Sequence, residues 1–147
     1  MAVALVLPLP VLGLPGAGKD HWRAANLPGT AVVSLDAIRH DMEIDPADDQ
    51  GEVVARAKSI ARDHLRAGRP FVWNATNITR PMRRKLIDLF RTYRARVRIV
   101  YVEVPYREVV RRNRGRPSPV PVSVIDRLVT RMEVPDLTEA HDVDWVA

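Results

Sequence analysis

Residues 13–20 read Gly-Leu-Pro-Gly-Ala-Gly-Lys-Asp, between an apolar run and a helical pattern. No other stretch constrains the fold as much. It fits the phosphate-binding loop G-x-x-x-x-G-K-[ST] at every fixed position except the last. Such a loop joins a buried strand to a helix, so a parallel α/β sheet is expected to begin here. Gly13, Gly16 and Gly18, with Pro15 and Ala17 between them, let successive backbone N–H groups turn inward around phosphate oxygens. Lys19 reaches the β- and γ-phosphates as a mobile point charge. The helix that follows favours an anion at its N-terminus. Asp20 stands where a hydroxyl normally helps to hold Mg²⁺. The loop therefore predicts ATP and Mg²⁺ as ligands and leaves the metal geometry to Asp20.

The chain has 147 residues, enough for one domain with a real core. It contains no cysteine, which excludes a disulfide framework and a thiolate metal site and agrees with a cytoplasmic location. Residues 1–14 are apolar, but they lack a basic leader segment and run straight into the glycine loop. They are expected to supply the first strand and its lead-in, not a signal peptide or a membrane anchor. Pro8 and Pro10 limit the expected paired part to about Leu9–Leu12.

Apolar runs then alternate with amphipathic stretches, the pattern of a mostly parallel sheet sandwiched by helices. Further strands are expected at Ala31–Leu35, Phe71–Asn74, Arg96–Val104 and Val143–Val146, five in all. Helices are expected near Lys19–Asn26, from Asp36, and over Glu52–Ala67, Arg80–Tyr93, Pro105–Asn113 and Ser123–Met132. In the fourth, Met82, Leu86, Ile87, Leu89 and Phe90 mark the buried face.

Charge is unevenly spread. Thirteen basic residues and three acids fall between Thr79 and Arg116, leaving that segment at +10 and the rest at −5. Such a half suggests a polyanionic partner such as nucleic acid. A solvated arginine-rich helix face is the alternative.

Three constellations carry chemistry. Asp36 and Arg39 follow the second strand, at the sheet edge where ligands bind in open α/β folds. Asp36 accepts a proton from an attacking hydroxyl and Arg39 holds an acceptor phosphate, or else Asp36 caps a helix and pairs with Arg39. Asn74, Thr76 and Asn77 follow the third strand, where these NTPases often carry a Mg²⁺-organising carboxylate. Asn74 is neutral, so the acid missing there is supplied by Asp20 at the loop; the alternative is a hydrogen-bonded turn. Arg111, Arg112, Arg114 and Arg116 end a helix before a proline-rich loop. Of these, Arg116 first and Arg112 second are candidates to close over ATP and balance charge on the phosphoryl group in flight. Trp22, Trp73 and Trp145 are too scattered for a base-stacking platform, and the four histidines lack metal-ligand spacing.

With these motifs in place, the chain resembles the kinase domain of polynucleotide 5′-hydroxyl kinases, within the small P-loop kinases related to adenylate kinase and zeta toxins. The family's G-x-x-G-x-G-K-[ST] falls on Gly13, Gly16, Gly18 and Lys19, its D-x-x-R on Asp36 and Arg39, and its R-N-x-x-R on Arg112, Asn113 and Arg116. The resemblance implies a P-loop NTPase domain over residues 1–147 with a small helical arginine-rich lid. It implies ATP- and Mg²⁺-dependent phosphoryl transfer to the 5′-OH of RNA or DNA. Asp36 would be the base, Arg39 the acceptor-phosphate clamp and Arg116 the transition-state arginine, with Asn74 and Asn77 at the substrate. Similar modules occur fused to phosphohydrolase or ligase domains in RNA repair enzymes, so a fused or separate repair domain is an expected partner. The rival readings are a kinase of a small-molecule hydroxyl and a non-catalytic nucleic-acid-binding module.

Overall fold

The computed structural model describes residues 8–12, 17–45, 47–76, 79–117 and 119–146. The elements in chain order are β1 (Pro8–Leu12), α1 (Lys19–Asn26), β2 (Ala31–Ser34), α2 (Leu35–Asp41), α3 (Gly51–Arg66), β3 (Phe71–Asn74), α4 (Arg80–Thr92), β4 (Arg98–Val102), α5 (Tyr106–Arg114), α6 (Val122–Arg131) and β5 (Asp142–Val146). The strands form one sheet in the order β2-β3-β1-β4-β5, and every neighbouring pair is parallel. All strand C-termini therefore open onto one edge.

β1 is central despite its two prolines. It pairs with β3 from Pro8 to Val11, but with β4 only at Val11 and Leu12. Pro8 and Pro10 have no N–H to donate to either ladder.

β3 and β4 are buried almost throughout because helices cover both faces of the sheet. On one face, Ala57, Ala61 and Leu65 of α3 and Leu86, Ile87 and Phe90 of α4 pack on Val33, Phe71, Trp73, Ile99 and Tyr101. On the other, Trp22 of α1 and Leu27 pack with Ala17 on Val72, Val100 and Val102. Val109 of α5 and Ile125 of α6 form a smaller cluster of their own. No helix among the described residues is long and apolar enough to cross a membrane.

Two expectations about these elements need correcting. The strand expected over Arg96–Val104 spans only Arg98–Val102; at its start Val97 is engaged by His141 and by the first residue of β5, its N–H donating to His141 Nδ1 and its carbonyl accepting from the N–H groups of His141 and Asp142. On α4 the buried face is Arg83, Leu86, Ile87 and Phe90, while Met82 is 50% exposed. Arg83 is 2% exposed and meets Glu139 in a two-pronged ion pair, Nε to Oε1 at 2.8 Å and Nη2 to Oε2 at 3.2 Å.

The basic segment is folded onto acids. Arg80 pairs with Asp136, Arg83 with Glu139, Arg96 with Asp142 and Arg98 with Asp144. Arg111 and Arg112 share Glu108.

Candidate functional site

Three strand ends deliver side chains to the common edge. After β1, the loop enters α1 at Gly18, whose φ of 92° is in the left-handed region that suits a residue without Cβ. A Cβ at Gly18 would also sit 3.0 Å from Arg112 Nη1. Lys19 opens α1. Desolvation pulls its ammonium from 10.5 down to about 8, against the opposing pull of Asp36 and Asp20, while Arg116 pushes the same way as burial. Asp36, Asp20 and Arg116, expected with Lys19 to flank the transferring phosphate, are thus each close enough to act on the charge of Lys19. A desolvated ammonium beside two carboxylates and an arginine fits an incoming polyphosphate.

Asp20, in the first turn of α1, accepts a hydrogen bond at 2.7 Å from Asn74 Nδ2 at the end of β3. The loop and strand-end positions that share the metal in related sites are therefore in direct contact here. Among the described residues no group of three or more His, Asp or Glu side chains could hold a metal ion. A divalent ion at this edge would rest on Asp20 together with nucleotide oxygens, a donor set of the hard kind that Mg²⁺ takes.

Asp36 does not cap α2. Ser34 does, its hydroxyl accepting from the N–H of Ala37 at 3.3 Å. Asp36 lies one residue into the helix, with its side chain 77% exposed, and accepts from Arg39 Nη1 at 2.6 Å. Arg39 is held a second time, its Nε donating to Gln50 Oε1 at 2.6 Å.

Arg112 lies against the loop. Its Nη1 donates to the Ala17 carbonyl at 3.3 Å and its Nε to Glu108 Oε1 at 2.7 Å. The two guanidinium groups of Arg111 and Arg112 hold the Glu108 carboxyl down at about 2. Buried Asn113 donates to the Val120 carbonyl at 2.6 Å and accepts from the Val120 N–H at 2.9 Å, which fixes the segment carrying Arg116. Arg116 itself is exposed. Gly13, Pro15, Gly16 and Asn77, all expected at the site, lie outside the described residues.

Trp73 is core, Trp22 is half-buried, and Trp145 is exposed at the sheet edge with Nε1 donating to the Pro135 carbonyl. The motifs did not point to Glu108, Gln50 or the acidic surround of Arg39. Glu108 was detectable from its i, i+3 and i+4 spacing to Arg111 and Arg112. Residues 36–52 contain seven acids and one arginine, a count that was available from the sequence. Nothing local marks Gln50 as a partner of Arg39.

Comparison of the sequence with curated proteins finds no match. Among solved structures, the chain is similar to a putative kinase from Chloroflexus aurantiacus j-10-fl at 15% identity and a TM-score of 0.75, over 98% of this chain and 88% of that one. It is similar to a sugar kinase from Janibacter sp. HTCC2649 at 17% identity and a TM-score of 0.67, over 97% and 84%. It is also similar to a chain of the Pnkp1/Rnl/Hen1 RNA repair complex at 18% identity and a TM-score of 0.77, over 88% of this chain and 45% of that one. At these identities the likeness concerns the fold alone, which is a P-loop NTPase-like α/β fold. The family model of the AAA domain AAA_33 matches residues 9–135, and the chain belongs to that family.

Proposed function

We propose that this protein is an ATP-dependent kinase that phosphorylates a hydroxyl group, with the 5′-OH of RNA or DNA as acceptor. The observation that carries the kinase reading is the convergence on Lys19 of charge from Asp36, Asp20 and Arg116, delivered by three separate elements. Bound Mg²⁺·ATP would supply the transferable phosphoryl group. The loop amides and Lys19 bind the phosphates, and Asp20, steadied by Asn74, is the metal ligand. Asp36 orients the attacking hydroxyl and takes its proton. Lys19 and Arg116 offset charge on the phosphoryl oxygens, with Arg112 and Arg116 forming an arginine-rich lid from the end of α5. Arg39 grips a phosphate of the acceptor next to its reactive end. In a repair setting the partner would be a nucleic-acid end and a fused or separate repair domain.

A specific observation favours the second reading, a small-molecule hydroxyl as acceptor. Six of the thirteen basic residues between Thr79 and Arg116 are paired with acids, so much of the positive field is spent within the fold. The segment around Arg39 is strongly acidic, which repels a polyanion.

One assay tests both. Transfer of labelled γ-phosphate from ATP is measured on 5′-OH oligonucleotides and on a panel of sugars, nucleosides and amino sugars, over a range of salt. A polynucleotide acceptor gives a KM that climbs steeply with salt, and a neutral acceptor gives a flat one. Asp36→Ala abolishes transfer while Mg²⁺·ADP binding persists. Transfer at near wild-type rate in that variant would overturn the role given to Asp36, and no binding of Mg²⁺·ATP would overturn the kinase reading in favour of a non-catalytic module.

A further inference from the structure

Gln50 is the residue before α3, in the N-cap position, but its side chain does not cap that helix. Its amide is committed elsewhere. Nε2 donates to the carbonyls of Asp45 and Asp48 at 3.0 and 2.6 Å, and Oε1 accepts from Arg39 Nε at 2.6 Å. Two carbonyls on one side and a guanidinium on the other fix which end of the amide is which. A flipped amide would face donor to donor and acceptor to acceptor. The same loop is closed on α2 by the Ile44 N–H, which donates to the Arg39 carbonyl at 3.1 Å.

The result is an arginine held in one plane. Arg39 presents five N–H donors in a rigid fork. Nε is taken by Gln50 and Nη1 by Asp36. Among the described residues, Nη2 makes no hydrogen bond. The side chain is 22% exposed, so a limited edge of the fork is left for a ligand. An arginine on a free stem would lose rotamer freedom when it gripped an acceptor. Here the loss has already been taken in folding.

We propose that Gln50 is a positioning residue that presets Arg39, and with it Asp36, for the acceptor, and that it does so as a neutral amide for a reason. A glutamate at position 50 would still accept from Arg39 but could not donate to the two loop carbonyls. It would also place a second carboxylate on the guanidinium and weaken its pull on an anionic acceptor. This inference rests on the reading of Arg39 as the acceptor clamp.

The experiment compares wild type with Gln50→Ala, Gln50→Glu and Arg39→Ala. The first readout needs no acceptor. In ¹⁵N-labelled protein the Arg39 Nε–Hε resonance is slow to exchange with solvent in wild type and loses that protection in Gln50→Ala. The second is steady-state kinetics with a 5′-OH oligonucleotide. Gln50→Ala raises the acceptor KM roughly tenfold, the fold-change expected for one lost hydrogen bond to a charged group; Gln50→Glu keeps that bond but raises the acceptor KM too, through the lost donations to the loop carbonyls and the second carboxylate on the guanidinium, and both leave the KM for ATP unchanged. An Arg39 Hε that exchanges at the same rate in wild type and Gln50→Ala overturns the proposal. So does an acceptor KM that rises in Arg39→Ala but in neither Gln50 variant. If Arg39→Ala itself leaves the acceptor KM alone, or wild type leaves the oligonucleotide unmodified, the acceptor reading fails instead and the exchange readout alone decides the role of Gln50. Unchanged Mg²⁺·ADP affinity in the Gln50 variants shows that they are folded.

Discussion

Glu139→Ala is expected to be among the most damaging single changes outside the site. The Arg83 and Glu139 side chains are only 2% and 6% exposed, and both prongs of the pair are within hydrogen-bond distance. Glu139 Oε2 also accepts the Asp136 N–H at 2.9 Å. Truncating Glu139 takes both prongs of the carboxylate away from a guanidinium on the buried face of α4. Breaking a buried pair from one side costs about 3–5 kcal/mol, against a total stability of about 5–15 kcal/mol for a domain. In a chain of this length each kcal/mol lowers Tm by about 2–4 °C, so the variant should melt about 6–20 °C early. Urea titration followed by circular dichroism measures the loss, with an unchanged m-value certifying the same unfolding reaction. Replacing both partners, as Arg83→Met with Glu139→Leu, removes the buried charge as well and should recover about 2 kcal/mol or more of that loss. A Glu139→Ala protein within about 1 kcal/mol of wild type, or a double variant no more stable than the single one, would refute the claim that this pair is desolvated.

Further outcomes follow from other contacts. Asp20→Ser weakens Mn²⁺ binding to the ADP complex, read by electron paramagnetic resonance, and adding Asn74→Asp restores it by returning the carboxylate to the strand end; equal Mn²⁺ affinity in Asp20→Ser would remove Asp20 from the metal site. A ¹³C titration of the Glu108 carboxyl should find its midpoint pushed down to about 2 by Arg111 and Arg112. Its pairing is complete above its ordinary range near 4.5 and is lost as pH falls through 2, so Arg111→Ala with Arg112→Ala must move the midpoint upward. Gly18→Ala meets both the left-handed backbone, at a cost of about 1–2 kcal/mol, and the Arg112 guanidinium. It should lower Tm and weaken ADP binding together, and an ADP titration matching wild type would contradict it. Glu43, just past the Met42 C-cap of α2, has a φ of 56°, and Glu43→Gly should gain about 0.5–1 kcal/mol in a urea melt by releasing backbone strain.

What the sequence made legible was whatever short-range chemistry determines. Gly18, Lys19 and Asp20 were placed by a pattern eight residues long, and the third strand, Phe71–Asn74, by an apolar run stopped by a turn. Contacts across the chain were a different matter. Met82 is expected on the buried face of α4 because it is apolar, and Arg83 enters only as one of the thirteen basic residues between Thr79 and Arg116. The structure puts Arg83 there instead, because Glu139 lies 56 residues further on and neutralises the arginine where it is buried. Position 36 shows the same limit at close range. Asp and Ser are both good helix caps, and which one served depended on where β2 ended. With Ser34 as the cap, Asp36 is released from a structural duty and is left exposed beside Arg39.

The exchange between Asp20 and Asn74 combines both kinds of information. An acid where a hydroxyl was expected, and an amide where an acid was expected, are two separate oddities in the sequence. The 2.7 Å hydrogen bond between them gives them one physical cause. Two carboxylates at that separation would repel and one would have to take up a proton, so an acid at position 20 requires a neutral donor at position 74. The charge offered by the pair is the same single negative unit that a hydroxyl and an acid would offer, moved from the strand to the loop. For that reason the loss caused by Asp20→Ser should be reversible by a second substitution at a residue 54 positions away, whereas truncation of an ordinary surface acid would have no such partner.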